Sequence, residues 1–185
     1  HMHYAVVSSE DRRFFEHWGL SMRSIARAVM VNTLSLSYRQ GFSTLTQQLA
    51  RNLYISVGFE DSILRKVKEM ITAIQIERTY TKEEILEMYL NTVHFGHGTY
   101  GVEAATKRFF GKESQFLTVD ESAMLVGLLP SPASYSPIHY PDRAIRRRNT
   151  VLRLMRDQGY IRRGEYAENR AKTLDTVLDL SLIHI

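Results

Sequence analysis

All four prolines of this chain lie between Pro130 and Pro141, so no proline interrupts the stretch from His1 to Leu129. Proline removes a backbone donor and clashes with the preceding turn, so a long proline-free stretch leaves helices free to propagate. Helix-start signals recur along it. Thr81 with Glu84, and Thr118 with Glu121, have the spacing of capping boxes, predicting helices to about Leu90 and Leu129. Ser43 is expected to cap a helix over 44–54, and Ser21 to precede another containing Ile25, Val29 and Leu36. Ile63, Val67, Met70, Ile71 and Ile74 recur at three- and four-residue steps, which predicts a long helix with these side chains as its buried stripe. After the prolines, Asp142 can start a helix that Gly159 stops, and a shorter helix is expected from Gly164 to Lys172. Strand-like alternation is confined to Tyr4–Val7. The fold class predicted is all-α.

The 185 residues suffice for one domain with a real core, and 44% apolar against 24% charged residues is an ordinary globular balance. There is no cysteine, which excludes disulfides and thiolate metal sites. No run of eighteen apolar residues exists, so the sequence contains no membrane span. His1-Met2 reads as a cloning scar and the first recognisable element begins at Tyr4, so the expectation is a fragment of a longer, membrane-anchored protein. Leu20 to Leu36, with Met22, Ile25, Val29, Met30, Val31, Leu34 and Leu36, is more apolar than one buried stripe needs and suits a surface resting in a bilayer interface.

Several patterns imitate functional motifs. Gly96-His-Gly98-Thr-Tyr-Gly101 matches the dinucleotide fingerprint, but that turn works after a strand, and a capped helix precedes it here. A tight helix-to-helix turn is the simpler reading. His94 and His97 lack a third metal ligand nearby. Ser43, His17 and Asp11 invite a hydrolase triad, yet Gly41-Phe-Ser43-Thr-Leu45 lacks the second glycine of a nucleophile elbow. The net charge of +4 is concentrated between Asp142 and Arg170, where nine arginines face four acids. No aromatic stacking platform or reading motif accompanies them, so nucleic acid is not the expected partner; anionic lipid headgroups remain an alternative contact.

Three polar segments fit poorly as surface decoration. They are Glu10-Asp11-Arg-Arg-Phe14-Phe-Glu-His17-Trp-Gly19, Gly41-Phe-Ser43-Thr44-Leu-Thr46-Gln47-Gln48-Leu-Ala-Arg51-Asn52, and Arg65-Lys66-Val-Lys68-Glu69. In the third, helical spacing puts a carboxylate and two cations on one face, which alone would also suit a solvated ion-pair ladder. Together the segments resemble the glycosyltransferase family 51 domain, the peptidoglycan glycosyltransferases, known as monofunctional enzymes and as N-terminal halves of class A penicillin-binding proteins. The family's E-D-x-x-F-x-x-H-x-G is matched by Glu10, Asp11, Phe14, His17 and Gly19. Its G-G-S-T-x-T-Q-Q is matched by Gly41, Ser43, Thr44, Thr46, Gln47 and Gln48, and its R-K-x-x-E by Arg65, Lys66 and Glu69. Ile85-Leu-Glu87-Met-Tyr89-Leu90-Asn91, Gly101-Val-Glu-Ala-Ala and the region from Leu129 to Asn149 continue the likeness. The motifs fall within about residues 5–160 of a single domain over 1–185. Three positions depart from the pattern: Phe42 replaces the second glycine, Arg51 stands where lysine is usual, and Asp61 where an arginine is common.

The resemblance implies a lysozyme-like fold of two helical lobes beside a cleft, and polymerisation of lipid II into β-1,4-linked glycan strands with inversion and release of polyprenyl diphosphate. Glu10 would be the general base toward the acceptor 4-hydroxyl. Arg51, Arg65 and Lys66 would contact the diphosphate, and Glu69 would place those cations and assist the leaving group. Ser43, Thr46, Gln47 and Gln48 would line the cleft, with Asp11, Phe14, His17, Gly41 and Asn91 as further substrate-binding positions. The chemistry fits these residue types independently: a hydroxyl needs a base, while a departing diphosphate needs cations rather than a proton donor. Implied partners are lipid II, the growing strand, the outer face of the bacterial cytoplasmic membrane and other cell-wall synthesis proteins. No cofactor is required, although a divalent cation (Mg²⁺ or Mn²⁺) could sit beside the diphosphate; no ligand set for one is legible. The rival readings are a lysozyme-like or lytic glycan-cleaving enzyme and a catalytically impaired glycan-binding module.

Overall fold

The structure, a computed structural model, describes residues 1–21, 43–54 and 63–174, and apart from one short hairpin its regular elements there are helices. In chain order these are α1 (Met2–Glu10), α2 (Leu45–Tyr54), α3 (Ile63–Thr79), α4 (Lys82–Thr92), the antiparallel strands β1 (His94–Gly96) and β2 (Thr99–Tyr100), α5 (Val102–Phe110), α6 (Val119–Leu128), α7 (Pro141–Asp157) and α8 (Arg163–Ala171). The chain divides into two compact units, one of His1–Arg12 with Leu90 onward, the other of Arg13–Tyr89.

In the first unit α6 is buried along almost its whole length, against α1 and α7. Its capping box forms as the spacing predicts: Thr118 N–H donates to Glu121 Oε2 at 2.8 Å. Tyr4–Val7 is helical, not a strand. Ala5, Val6 and Val7 are all buried, and a short apolar run has no periodicity with which to tell one conformation from the other. Arg148 is buried and donates to the Arg170 carbonyl and Asn149 Oδ1, both at 3.1 Å, tying α8 to α7. Burial pulls its pKa down, with Asp120 acting the other way. The glycines of Gly96–Gly101 make a β-hairpin between α4 and α5 rather than a bare helix-to-helix turn. At its exit Gly101 has φ +82°, and a Cβ there would stand 2.7 Å from the Asn91 carbonyl oxygen, so only glycine fits.

The second unit packs Phe14, Leu45, Leu49, Ala73, Ile76 and Ile85 into its core. Helix α4 starts here, its Thr81–Glu84 box present with bonds of 2.8 and 3.3 Å. Hydrogen bonds from Thr81 hold the Glu84 carboxyl below its ordinary pKa. The predicted burial of α3 is reversed. Val67, Ile71 and Ile74 are exposed and Met70 is half-buried, while Glu69, Ala73 and Ile76 point inward; the side chain of Ile63 lies outside the described ones. Periodicity identifies an apolar face without saying which way it turns, and here cations make it favourable to bury the face that carries Glu69. The helix expected after Ser21, with most of the apolar stretch Leu20–Leu36, and Gly41, Phe42 and Asp61 lie outside the described residues.

Candidate active site

Glu69, halfway along the inward face of α3, has no exposed surface. A carboxylate cannot be buried bare, and this one accepts from Lys66 Nζ at 2.9 Å on Oε2 and from Arg51 Nε at 3.2 Å on Oε1, with Arg65 Nε 3.6 Å from Oε1. Lys66 and Arg65 reach it because they stand three and four residues earlier on the same helix; Arg51 arrives from α2. The cations are themselves half-open to solvent, at 41% for Lys66 and 38% for Arg51. Three positive charges around one carboxylate leave an excess of two, on side chains that are partly open to solvent and already ordered. That is the electrostatic form of an anion site. Lys68, which shares the motif, is exposed and pairs with no acid among the described residues.

Ser43 completes the cluster. Its Oγ accepts from Lys66 Nζ at 2.7 Å and from Arg51 Nη2 at 3.2 Å. The predicted cap role belongs instead to Thr44, whose Oγ1 accepts from Gln47 N–H at 3.1 Å while Gln47 Oε1 accepts from Thr44 N–H at 2.9 Å. Thr44 is the residue directly before α2, so its hydroxyl meets the orphan donors, and Ser43 is left to the cations. A hydroxyl held by two cations is not set up as a nucleophile, which disposes of the triad of Ser43, His17 and Asp11. The arginine at position 51 reaches both partners with separate nitrogens of its fork, Nε on Glu69 and Nη2 on Ser43.

The other second-motif residues turn inward. Gln47 is buried in the capping box, and Thr46, fully buried, donates through Oγ1 to Glu77 Oε1 at 2.5 Å. Both were expected to line a cleft; the need to satisfy buried polar atoms fixes them as internal braces. Gln48 Oε1 accepts from the Tyr89 hydroxyl at 3.0 Å. Of the first motif, Phe14 is buried, His17 lies edge-on to it with ring centres 6.3 Å apart, and the Gly19 carbonyl accepts from Thr44 Oγ1 at 2.6 Å. Gly19 has φ +75° and stands so near α3 that a Cβ would lie 2.9 Å from the Ala73 carbonyl oxygen.

Glu10 and Asp11 belong to the first unit, at the end of α1, where Ser9 Oγ donates to Glu10 Oε1 at 3.1 Å and Asp11 N–H closes the helix on the Val7 carbonyl. Asn91 is exposed near the end of α4, also in that unit. The structure thus brings Ser43, Arg51, Arg65, Lys66 and Glu69 together in the second unit. Two residues that the motifs do not include, Glu77 and Lys82, pair at 2.7 Å elsewhere in the same unit. Glu77 follows Glu69 by two helical turns, a signal that the mistaken orientation of α3 concealed. Among the described residues no three His, Asp or Glu side chains are grouped as a metal would need.

The family model described as Transglycosylase matches residues 1–156. Penicillin-binding protein 1F of Bacillus subtilis (strain 168) is 45% identical over 92% of this chain and 24% of its own length. Penicillin-binding protein 1A of Escherichia coli (strain K12) is 43% identical over 92% of this chain and 20% of its own. The crystal structure of penicillin-binding protein 1A from Haemophilus influenzae aligns with a TM-score of 0.49 at 31% identity, over 70% of this chain and 16% of that one. The chain therefore spans about a quarter or less of the length of these relatives. It belongs to the transglycosylase family, as a peptidoglycan glycosyltransferase domain.

Proposed function

We propose that the chain polymerises lipid II into β-1,4-linked glycan, at the outer face of the bacterial cytoplasmic membrane. The observation that carries this reading is the buried Glu69 with Lys66, Arg51, Arg65 and Ser43 gathered on it. Glu10, the glutamate that opens the first motif, takes the proton of the acceptor 4-hydroxyl. The freed oxygen attacks the anomeric carbon of the growing chain from the face opposite its diphosphate. The bond from that carbon to the diphosphate oxygen breaks, its electron pair leaves on the polyprenyl diphosphate, and the configuration inverts. Charge developing on the leaving oxygen meets Lys66, Arg51 and Arg65, whose positions Glu69 sets before any substrate arrives. No proton donor is needed there and no cofactor is invoked.

A glycan-cleaving enzyme would ask for a second carboxylate free to protonate or attack. Both oxygens of Glu69 already receive charge-assisted bonds, which favours transfer over hydrolysis. The exposed aliphatic side chains of α3, Leu64, Val67, Ile71 and Ile74, form a stripe that suits a bilayer interface, where the lipid tail of the substrate resides. Incubating the chain in detergent with lipid II and separating the products tests the proposal: glycan polymer with free polyprenyl diphosphate is expected, and unchanged lipid II would refute it.

A further inference from the structure

Glu77 and Lys82 stand apart from the cation cluster, yet they connect the pieces that carry it. Glu77 is almost fully buried, at 5% side-chain exposure, and its Oε1 accepts from both Thr46 Oγ1 of α2 and Lys82 Nζ, at 2.5 and 2.7 Å. Lys82 Nζ also donates to the His17 carbonyl at 2.6 Å and stands 4.5 Å from the centre of the Phe14 ring. The ammonium thus spends its donors on α3, on the first-motif loop and on an aromatic face. Gly19, at the end of that loop, backs onto Glu77: a Cβ there would lie 3.0 Å from Glu77 Cγ. Thr44, at the start of α2, bonds the Gly19 carbonyl.

We propose that Glu77 and Lys82 are positioning residues for glycosyl transfer, their ion pair locking the loop Phe14–Gly19 and helix α2 onto α3 and so fixing where Ser43 and Arg51 meet Glu69. The inference rests on the transferase reading given above. A buried ion pair is weak evidence for stability, because desolvation offsets most of the attraction. What this one supplies is geometry. Helix α2 is tied to α3 at two levels, Thr46 to Glu77 and Arg51 to Glu69, and the two carboxylates lie on the same inward side with Ala73 between them. Loosening the first level lets α2 shift at the second, where small misplacements of catalytic groups are expensive.

The test compares wild type with Glu77→Gln, Lys82→Met, Lys82→Arg and Thr46→Val on lipid II, with rates expressed per folded molecule, and follows amide hydrogen exchange. Lys82→Met and Glu77→Gln are expected to lower kcat about 10–100-fold while KM changes less than about threefold. Lys82→Arg should recover much of the loss, and exchange at 14–19 should quicken in Lys82→Met while α6 keeps its protection. A lower thermal midpoint with unchanged kcat per folded molecule would make the pair merely structural and overturn the inference, as would unaltered exchange at 14–19. Thr46→Val removes one bond and no charge; if the charge variants do not fold, a smaller loss of kcat in this one supports the inference and none overturns it. A wild-type chain that does not consume lipid II would defeat the transferase reading, and the catalytic part of this inference with it; the exchange data would still decide whether the clamp exists.

Discussion

Lys66 Nζ donates to Ser43 Oγ at 2.7 Å, so the serine hydroxyl is a receiver of positive charge rather than a group awaiting a base. A hydrogen bond to a charged partner contributes about 1.5–3 kcal/mol. Ser43→Ala keeps all three cations on Glu69 and loses only their second anchor, so turnover on lipid II should fall about tenfold, the lower end of that range. A nucleophilic serine would instead cost several more powers of ten. Steady-state kinetics of the one variant separates the two roles.

Glu10→Gln removes the proposed base while keeping the side chain's size. Losing a positioned general base costs on the order of 10²–10⁴ in rate. Glu10 is half-buried at a helix end and bonded through Ser9, so the thermal midpoint should move little. Wild-type turnover in this variant would remove Glu10 from the chemistry.

The exposed stripe of α3 bears on the membrane. Val67 and Ile71 are 45% and 52% exposed, so replacing both with serine should leave the midpoint nearly unchanged. Full burial of such a side chain is worth about 1.5–3 kcal/mol, so partition onto phosphatidylglycerol–phosphatidylethanolamine vesicles should weaken at least about tenfold. Unaltered partition would show that the stripe does not touch lipid.

His97 makes stability pH-dependent in the other unit. His97 Nε2 lies 2.8 Å from the Ser136 hydroxyl, whose oxygen also accepts from the N–H groups of Ile138 and His139. Burial first, then the charges of Arg108, His139 and His94, lowers the His97 pKa below its ordinary 6.5. As pH falls the unfolded chain takes up this proton first, so the contribution is whole above about 6.5 and is lost as pH drops through the depressed folded value. The thermal midpoint should decline from pH 7.5 to 5.5, and His97→Asn, which tolerates the positive φ of 52° at this position, should flatten that decline. Equal slopes in both proteins would exclude His97 as the cause.

Much of the helical scaffold was legible because caps are local chemistry. The boxes at Thr81 and Thr118 need only the residues three positions on, and both helices end within two residues of expectation, at Thr92 and Leu128. The cap before α2 was misassigned by one residue, since Ser43 and Thr44 are chemically alike and only the cations of α3 decide between them. The orientation of α3 was not legible at all. An apolar stripe is normally the inward face; here the charged one is, because Arg51 from another helix helps neutralise Glu69. The pairing of Glu77 with Lys82 and the short hairpin at His94–Tyr100 likewise depend on contacts that spacing alone does not encode.

Lys66 gives the most direct test of transfer against hydrolysis. Wild type and Lys66→Ala are each incubated with lipid II and, separately, with finished glycan strands. Removing a donor to developing oxyanion charge costs roughly 3–4 kcal/mol. The expected result is polymer from lipid II with wild type, at least about a hundredfold less with Lys66→Ala, and no cleavage of finished strands by either. Cleavage of finished strands that is indifferent to Lys66, or undiminished polymerisation by Lys66→Ala, would contradict the assignment of this cluster to a departing diphosphate.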